Sequence, residues 1–402
     1  MKVAIVHYWL VGMRGGEAVL EVLCEMFPQA VIYTHVYNPE KISETIKKHE
    51  IKTSFINSLP MSISQYQKYL PLMPGALAEL DLTEFDLVIS SESGPAKGVV
   101  TNPNATHLCY VHSPMRYIWD QYHVYKQQTS WLAKLYLRLF VGKLRAWDTM
   151  SANSVDIFIA NSNYVSNRIK KYYRRESVVV NPPVDVNTFS PLIQSRVEEY
   201  YLWVGELVSY KRPDIVIEAF NQNKKRLLVV GDGSCRSELQ KKANDNIKFV
   251  GRISTREVKK HLSKCKALVF PGVEDFGIVP VEVLASGRPV IAYGEGGVLD
   301  SVQNGVNGIL YHDNTSRGLS DAIELFEQSA VSGEKPIRIA ETVQKFNKAR
   351  FMRELLDVLS KDKQKIVREA AYFDEPDLEY ELLSRKQSGH NLHSYPVMRK
   401  LQ

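Results

Sequence analysis

The sequence predicts an α/β protein built from two doubly wound parallel sheets, one after the other along the chain. Three observations carry this. Short β-branched apolar runs alternate with helical patterns, the alternation stops at a proline-rich polar stretch and then resumes, and glycines gather where strands give way to helices. Runs that are apolar on both faces and separated by helices imply a parallel sheet covered on each side. The 402 residues suit two domains of ordinary size, and a hydrophobic content of 44% is enough for two cores. No stretch approaches the roughly 20 apolar residues that a membrane span requires.

Taken in order, "KVAIV" near the start reads as a first strand, since the apolar run is too short for a signal peptide. "GGEAVLEVLCEMF" follows as a helix, then "AVIYT", "DLVIS", "THLCYV" and "DIFIA" as strands, and "NYVSNRIKKYY" as a helix. "NPPVDVNTFSP" breaks the pattern as a linker would. The second unit runs "YYLWVG", "RPDIVIEAF", "RLLVVG", "SELQKKA", "IKFVG", "TREVKKHLSK", "KALVF", "VPVEVLAS" and "PVIAY". The expected division is therefore 1–185 and 186–358, two Rossmann-like domains facing each other across a deep cleft. A charged C-terminal helix and partly flexible tail are expected over 359–402. In such sheets the C-terminal strand ends form the binding edge.

The four cysteines, Cys24, Cys109, Cys235 and Cys265, lie far apart and form no C-x-x-C pair. That argues against a zinc site or disulfide scaffold and suits a reducing cytoplasm. The net charge of +6 biases the chain toward anionic partners. The cations do not gather into one aromatic-laced stripe, so no nucleic acid is expected.

"PGVEDFGIVPVEVLASG" places Glu274 and Glu282 eight positions apart. On one helix this is an offset of about 80° and two turns of rise, so the pair would not act as neighbours on one face. With "KALVF" as a strand, "PGVEDFG" is the loop leaving it, Pro280 suits the first turn of the next helix and Gly287 ends it. Glu274 then lies in the loop and Glu282 in the helix, and the loop can bring the carboxylates toward each other. A helix start offers free N–H groups to a phosphate, Gly277 allows close backbone approach, and carboxylates accept from vicinal hydroxyls. Together these suggest a nucleotide sugar; loop glutamates in solvent are the plain alternative. "VGELVSYKRPD" adds Lys211 and Arg212 at the same edge, read either as an anion site or as a solvated helix start. Glycine turns after further strands, at Gly231, Gly251 and the "GEGG" of Gly296 and Gly297, add to that edge.

From Glu274 to Glu282 the chain matches the E-x7-E signature of the retaining nucleotide-sugar glycosyltransferases of family 4, whose two-domain fold is called GT-B. The resemblance covers roughly residues 1–355. It implies that Glu274 contacts the donor sugar and Glu282 the ribose, that Lys211 and Arg212 meet the diphosphate, and that Ile278 and Val279 join the donor site beside Gly277. It also makes the first domain the acceptor side and the second the nucleotide-sugar side. Many members have Gly-Arg where this chain has Gly205-Glu206, which leaves one phosphate-binding charge to Lys211, Arg212 or a first-domain cation.

In the first domain, Gly15 and Gly16 lie between the first strand and the first helix, a site for a phosphate or merely a plain loop. The family places its glycine loop under the diphosphate. "THLCYVHSPMRYIWD" delivers His112 to the cleft edge, where the resemblance implies contact with the donor sugar. Its wording is similar to bacterial mannosyltransferases of O-antigen, capsule and exopolysaccharide synthesis, which favours GDP-mannose. Arg116, Tyr117, Trp119 and Asp120 are then acceptor-side candidates; the alternative is a loop packed on its own domain.

No Asp-x-Asp pair is well placed, so neither metal nor other cofactor is expected, and cations and helix starts are expected to stabilise the leaving group. "WLAKLYLRLFVGKLRAW" reads as an amphipathic helix, with Leu132, Leu135, Leu139 and Leu144 facing the core and Lys134, Arg138, Lys143 and Arg145 outside. The alternative is a membrane-surface helix. The resemblance implies a polyprenyl-diphosphate-linked saccharide as acceptor and peripheral attachment to the cytoplasmic face of the inner membrane. The competing readings are a UDP-sugar transferase, a sugar-nucleotide 2-epimerase and a non-catalytic nucleotide-sugar-binding protein.

Overall fold

A computed structural model of the chain describes residues 1–128, 131–192 and 196–362. The expected tail from 363 onward lies outside the described residues. The first sheet comprises β1 (Val3–His7), β2 (Val31–Thr34), β3 (Ile51–Thr53), β4 (Leu87–Glu92), β5 (Thr106–Val111), β6 (Ile157–Ala160) and β7 (Val178–Val179). Its order is β3-β2-β1-β4-β5-β6-β7, all parallel. The second comprises β8 (Tyr201–Val204), β9 (Leu227–Val230), β10 (Ile247–Gly251), β11 (Leu268–Phe270), β12 (Val290–Tyr293) and β13 (Gly308–Tyr311). It is ordered β10-β9-β8-β11-β12-β13, again all parallel.

Both sheets are buried on both faces, as the continuous apolar runs require. In β1, Val3 and Ile5 enter one core while Ala4 and Val6 enter the other. In β8, Leu202 faces one core and Tyr201 and Trp203 the opposite one. Strand order reverses direction between β1 and β4 in the first sheet and between β8 and β11 in the second. A parallel sheet opens a crevice at such a point, beyond the carboxyl ends of its strands. The strand ends there are His7, Ser91 and Glu92 on one side and Val204 and Phe270 on the other.

Two expectations are corrected. Residues 348–358 were expected with the second domain. Instead the helix Lys348–Asp362 returns to the first, where Phe351, Met352, Leu355 and Leu359 join the core of Ile5, Leu20 and Leu23. Lys348 Nζ reaches Glu25 at 2.8 Å, and Arg350 Nη2 donates to the Asn181 carbonyl at 3.0 Å, beside the first crossing between domains.

The helix Trp131–Ser151 does not bury the predicted leucine stripe. Leu144 is buried at 4%, but Leu135 and Leu139 are 50% and 63% exposed. The side chain of Leu132 lies outside the described residues. The helix seats on its domain through its C-terminal half, where Asp148 is wholly buried and Trp147 packs against Gly98. Lys134, Arg138 and Lys143 are exposed, as expected, and Arg145 is half-buried with its Nε on the Ile118 carbonyl.

The domains touch across the cleft floor. The Asn163 backbone N–H and Nδ2 both donate to Asp300 at 3.0 Å, Asn181 Nδ2 donates to the same carboxylate at 2.9 Å, and Ser162 Oγ donates to the Asp275 carbonyl.

Candidate active site

The second-domain wall follows from the end of β11. The helix after it spans Ile278–Ala285, so Glu274 lies in the loop and Glu282 in the helix. Gly277 caps that helix with φ of +87°, a conformation only glycine takes without strain, and Ile278 and Val279 are its first two residues. Gly272 allows the loop to pass Lys211, whose Cα would lie 2.9 Å from an added Cβ. Lys211 Nζ consequently meets Glu274 Oε1 at 2.8 Å. Burial works against the lysine's charge, but Glu274 and Tyr210 outweigh it and its pKa is raised. Both partners keep about a fifth of their side chains exposed, 18% and 21%, so the pair is open to exchange with a ligand.

Glu282 is differently placed. Burial raises its carboxyl to about 7, with Lys259 pulling it down and Asp185 pushing it up. The two glutamates thus have different neighbours, Lys211 for one and Lys259 and Asp185 for the other.

Other second-domain candidates are held by neighbours within their own domain. Arg212 turns from Lys211 to Asp214, with Nε 3.2 Å from both carboxylate oxygens, which neutralises the misplaced charge at the helix start Pro213–Asn223. The Gly297 N–H donates to the Glu274 carbonyl at 2.8 Å, and Gly296 packs against that same carbonyl. This turn therefore braces the Glu274 loop, and the Gly297 amide is not open to a ligand. Gly231 sits where a Cβ would meet the Gly205 carbonyl at 1.8 Å, and its N–H bonds to the Gly251 carbonyl at 2.9 Å, so these glycines pack neighbouring strand ends together. Glu206 is exposed.

On the first-domain wall, Gly15 and Gly16 open the helix Gly15–Met26. A Cβ on Gly15 would lie 2.8 Å from Ile278 Cδ1, and one on Gly16 would lie 2.3 Å from Tyr8 Oη and 3.6 Å from His112 Nε2. Two helix starts, one from each domain, therefore face each other across the cleft, beside the Lys211–Glu274 pair and His112. His112 Nε2 is 2.8 Å from Ser91 Oγ, and burial lowers its pKa to about 3, so it is neutral at ordinary pH.

The acceptor-side candidates separate. Arg116 donates through Nε to Asp275 Oδ2 at 2.8 Å and again through Nη2. Arg168 joins Asp275 Oδ1 to Asp120 Oδ1, at 2.6 Å each. Arg116 and Asp120 thus belong to one charged network whose centre, Asp275, comes from the other domain. Trp119 instead stacks on Tyr172 with centroids 4.6 Å apart, and its Nε1–H donates to Asp148 at 2.7 Å. The Tyr117 hydroxyl is buried without a hydrogen-bond partner among the described residues. These two rings pack on their own domain. Asp148 is fixed in turn by Lys97, itself wholly buried between Asp148 and Glu92.

Sequence reasoning missed Asp275, Arg168, Tyr210, Ser91, His7 and Glu17. Asp275 stands inside the quoted motif, but its partners come from 107 and 159 residues away, and no local spacing announces them.

The architecture is GT-B, and comparisons with known proteins agree. The family model for glycosyl transferases group 1 matches residues 192–346, and that for Glycosyltransferase Family 4 matches residues 13–188. An uncharacterised glycosyltransferase of Methanocaldococcus jannaschii is 31% identical over 173 residues, 42% of this chain and 48% of that protein. O-antigen chain mannosyltransferase C of Escherichia coli is 28% identical over 197 residues, 44% of this chain and 53% of that one. The chain spans about half the length of these curated relatives. Anabaena HepE, solved in complex with UDP, superposes with a TM-score of 0.67 over 90% of this chain and all of its own, at 17% identity. Together the two family matches and the fold support a GT-B glycosyltransferase.

Proposed function

We propose that the protein is a retaining glycosyltransferase that moves a hexose, mannose from GDP-mannose, to a polyprenyl-diphosphate-linked saccharide. The observation that carries this reading is the Lys211–Glu274 pair at the C-terminal edge of the second sheet, facing the glycine-opened helix of the first. Donor binding exchanges the partners. Lys211 turns to the diphosphate, Glu274 accepts from sugar hydroxyls and Glu282 from the ribose. The two helix starts supply N–H groups to the same anion, in a site that needs no reorganisation as charge develops. The bond from the anomeric carbon to phosphate breaks, the acceptor oxygen bonds to that carbon on the same face, and its proton passes to the departing phosphate. Arg116, held by Asp275 as it stands, is a first-domain cation beside the same Tyr210 ring as Lys211, its guanidinium and Lys211 Nζ lying 5.6 Å and 6.0 Å from the centroid.

Mannose is favoured by the mannosyltransferase relative, and the lipid-linked acceptor by that protein's O-antigen chain. No described helix is long and apolar enough to cross a membrane. Peripheral attachment draws support from Leu135 and Leu139, exposed on one helix with Lys134, Arg138 and Lys143. The deciding experiment is calorimetry and turnover with GDP-mannose, UDP-glucose, UDP-galactose and UDP-GlcNAc. Binding and transfer with GDP-mannose alone are expected; a response to UDP-sugars only overturns the donor assignment, and binding without transfer overturns the activity. Flotation with anionic liposomes, abolished by Leu135→Glu with Leu139→Glu, tests the membrane contact.

A further inference from the structure

Behind His112 lies a chain of polar groups that leads away from the cleft into the first domain. Ser91 Oγ is 2.8 Å from His112 Nε2 and 3.0 Å from His7 Nδ1. The other nitrogen of His7, Nε2, lies 3.6 Å from Glu17 Oε1, long for a hydrogen bond, and has no hydrogen-bond partner among the described residues. Glu17 Oε2 accepts the Arg14 backbone N–H at 2.9 Å in the first turn of the helix Gly15–Met26. His7, Ser91 and Glu17 are all buried, at 1%, 0% and 2% exposure.

The direction of each hydrogen bond follows from one end. A carboxylate in the first turn of a helix, holding a backbone N–H, is favoured in its charged form. A buried imidazole nitrogen beside that charge is stable carrying a proton and costly presenting a lone pair. A neutral His7 with its proton on Nε2 leaves Nδ1 as an acceptor. The Ser91 hydroxyl has one proton, which it must give to His7 Nδ1, leaving its oxygen to accept. Among the described residues, the group positioned to donate to that oxygen is His112 Nε2.

We infer that Glu17, His7 and Ser91 are positioning residues that lock His112 as the Nε2–H tautomer, leaving Nδ1 as a hydrogen-bond acceptor for a hydroxyl of the bound sugar. The geometry adds a reason for Glu17 beyond helix capping and for a histidine at the end of β1. It also gives a role to Ser91, a buried polar residue near the end of β4. The role given to Nδ1 rests on the proposed donor site; the polarity of the chain does not.

The test is long-range 1H–15N correlation NMR on the full chain labelled at histidine, with His112 assigned through His112→Asn. The wild type is expected to show His112 protonated at Nε2 alone, with that proton slow to exchange. Ser91→Ala is expected to speed its exchange and to lower kcat about tenfold, near the worth of one hydrogen bond. The donor KM and nucleoside diphosphate affinity should change less than about threefold, since the hydroxyl lies behind His112. A wild-type His112 protonated at Nδ1 overturns the inference, as does a Ser91→Ala protein with unaltered exchange and kcat. The wild-type spectrum decides the polarity even if the variant fails to fold. A chain with the Nε2–H form that transfers no sugar defeats the proposed function and leaves the relay standing; an active transferase with the Nδ1–H form does the reverse.

Discussion

On the first-domain wall of the cleft, the polar groups reaching the site are strung together: two imidazoles joined through the Ser91 hydroxyl. On the second-domain wall they are ionic, with Lys211 on Glu274 and Asp275 drawing Arg116 and Arg168 from the opposite domain. The contrast follows from solvent access. His112 is walled in by Tyr8, Tyr110 and the glycine loop, where burial disfavours a charge and the imidazole stays neutral. Lys211 and Glu274 sit at the opening, where each charge has both a partner and some water. One wall is built to orient a ligand, the other to exchange ions with it.

The comparison breaks most sharply at Glu274. Glu274→Ala should slow transfer by about 10³-fold, while the free nucleoside diphosphate binds within about threefold of wild type. Single-turnover rates and calorimetry measure the two, and unchanged turnover would remove the residue from the mechanism. Next in size is Asp275→Asn, which leaves Arg116 and Arg168 buried with half their compensation. Urea denaturation should show a loss of about 3 kcal/mol, as expected for opening a buried ion pair from one side.

Glu282 gives a smaller effect with a distinctive sign. Its folded pKa of about 7 lies above the ordinary value, so between about pH 4.5 and 7 the folded state holds more protons than the unfolded one. Its contribution to stability therefore falls as pH rises through that window. Glu282→Gln should stabilise the free protein at pH 8 by about 1–3 kcal/mol and have little effect at pH 4.5, while weakening nucleotide binding about tenfold. Equal stabilisation at both pH values would show that the carboxyl is not held neutral by burial. The smallest expected effect is at His112. With its pKa near 3, the kcat profile should carry no inflection from this imidazole between about pH 5 and 8, and removing it should leave the shape of the profile unchanged.

The second-domain wall was the more legible in sequence because its parts are close together along the chain. Glu274, Gly277 and Glu282 share one loop and helix, and Lys211 follows the strand that becomes its neighbour. Arg212 is paired with its own Asp214, two positions on, which its charge alone did not announce. The Gly297 amide donates to the Glu274 carbonyl, a bond between two loops that the sequence does not announce. On the first-domain wall, His112 could be placed from the end of "THLCYV", but Ser91, His7 and Glu17 come from three other elements. Each alone reads as an ordinary strand-end or capping residue. The short edge strands β3 and β7 escaped for a simpler reason: three and two residues are too few to show a period. The Leu135 and Leu139 stripe has the right spacing for a core face, and the sequence could not say that the domain beneath it ends first.

The return of Lys348–Asp362 to the amino-terminal core has a consequence for biosynthesis. Phe351 and Leu355 pack among side chains that left the ribosome more than three hundred residues earlier. The half made first therefore waits with an open hydrophobic face, while the half made second, contiguous in sequence, is able to condense as it emerges. The core of the first domain is therefore completed only when the helix Lys348–Asp362 has been made.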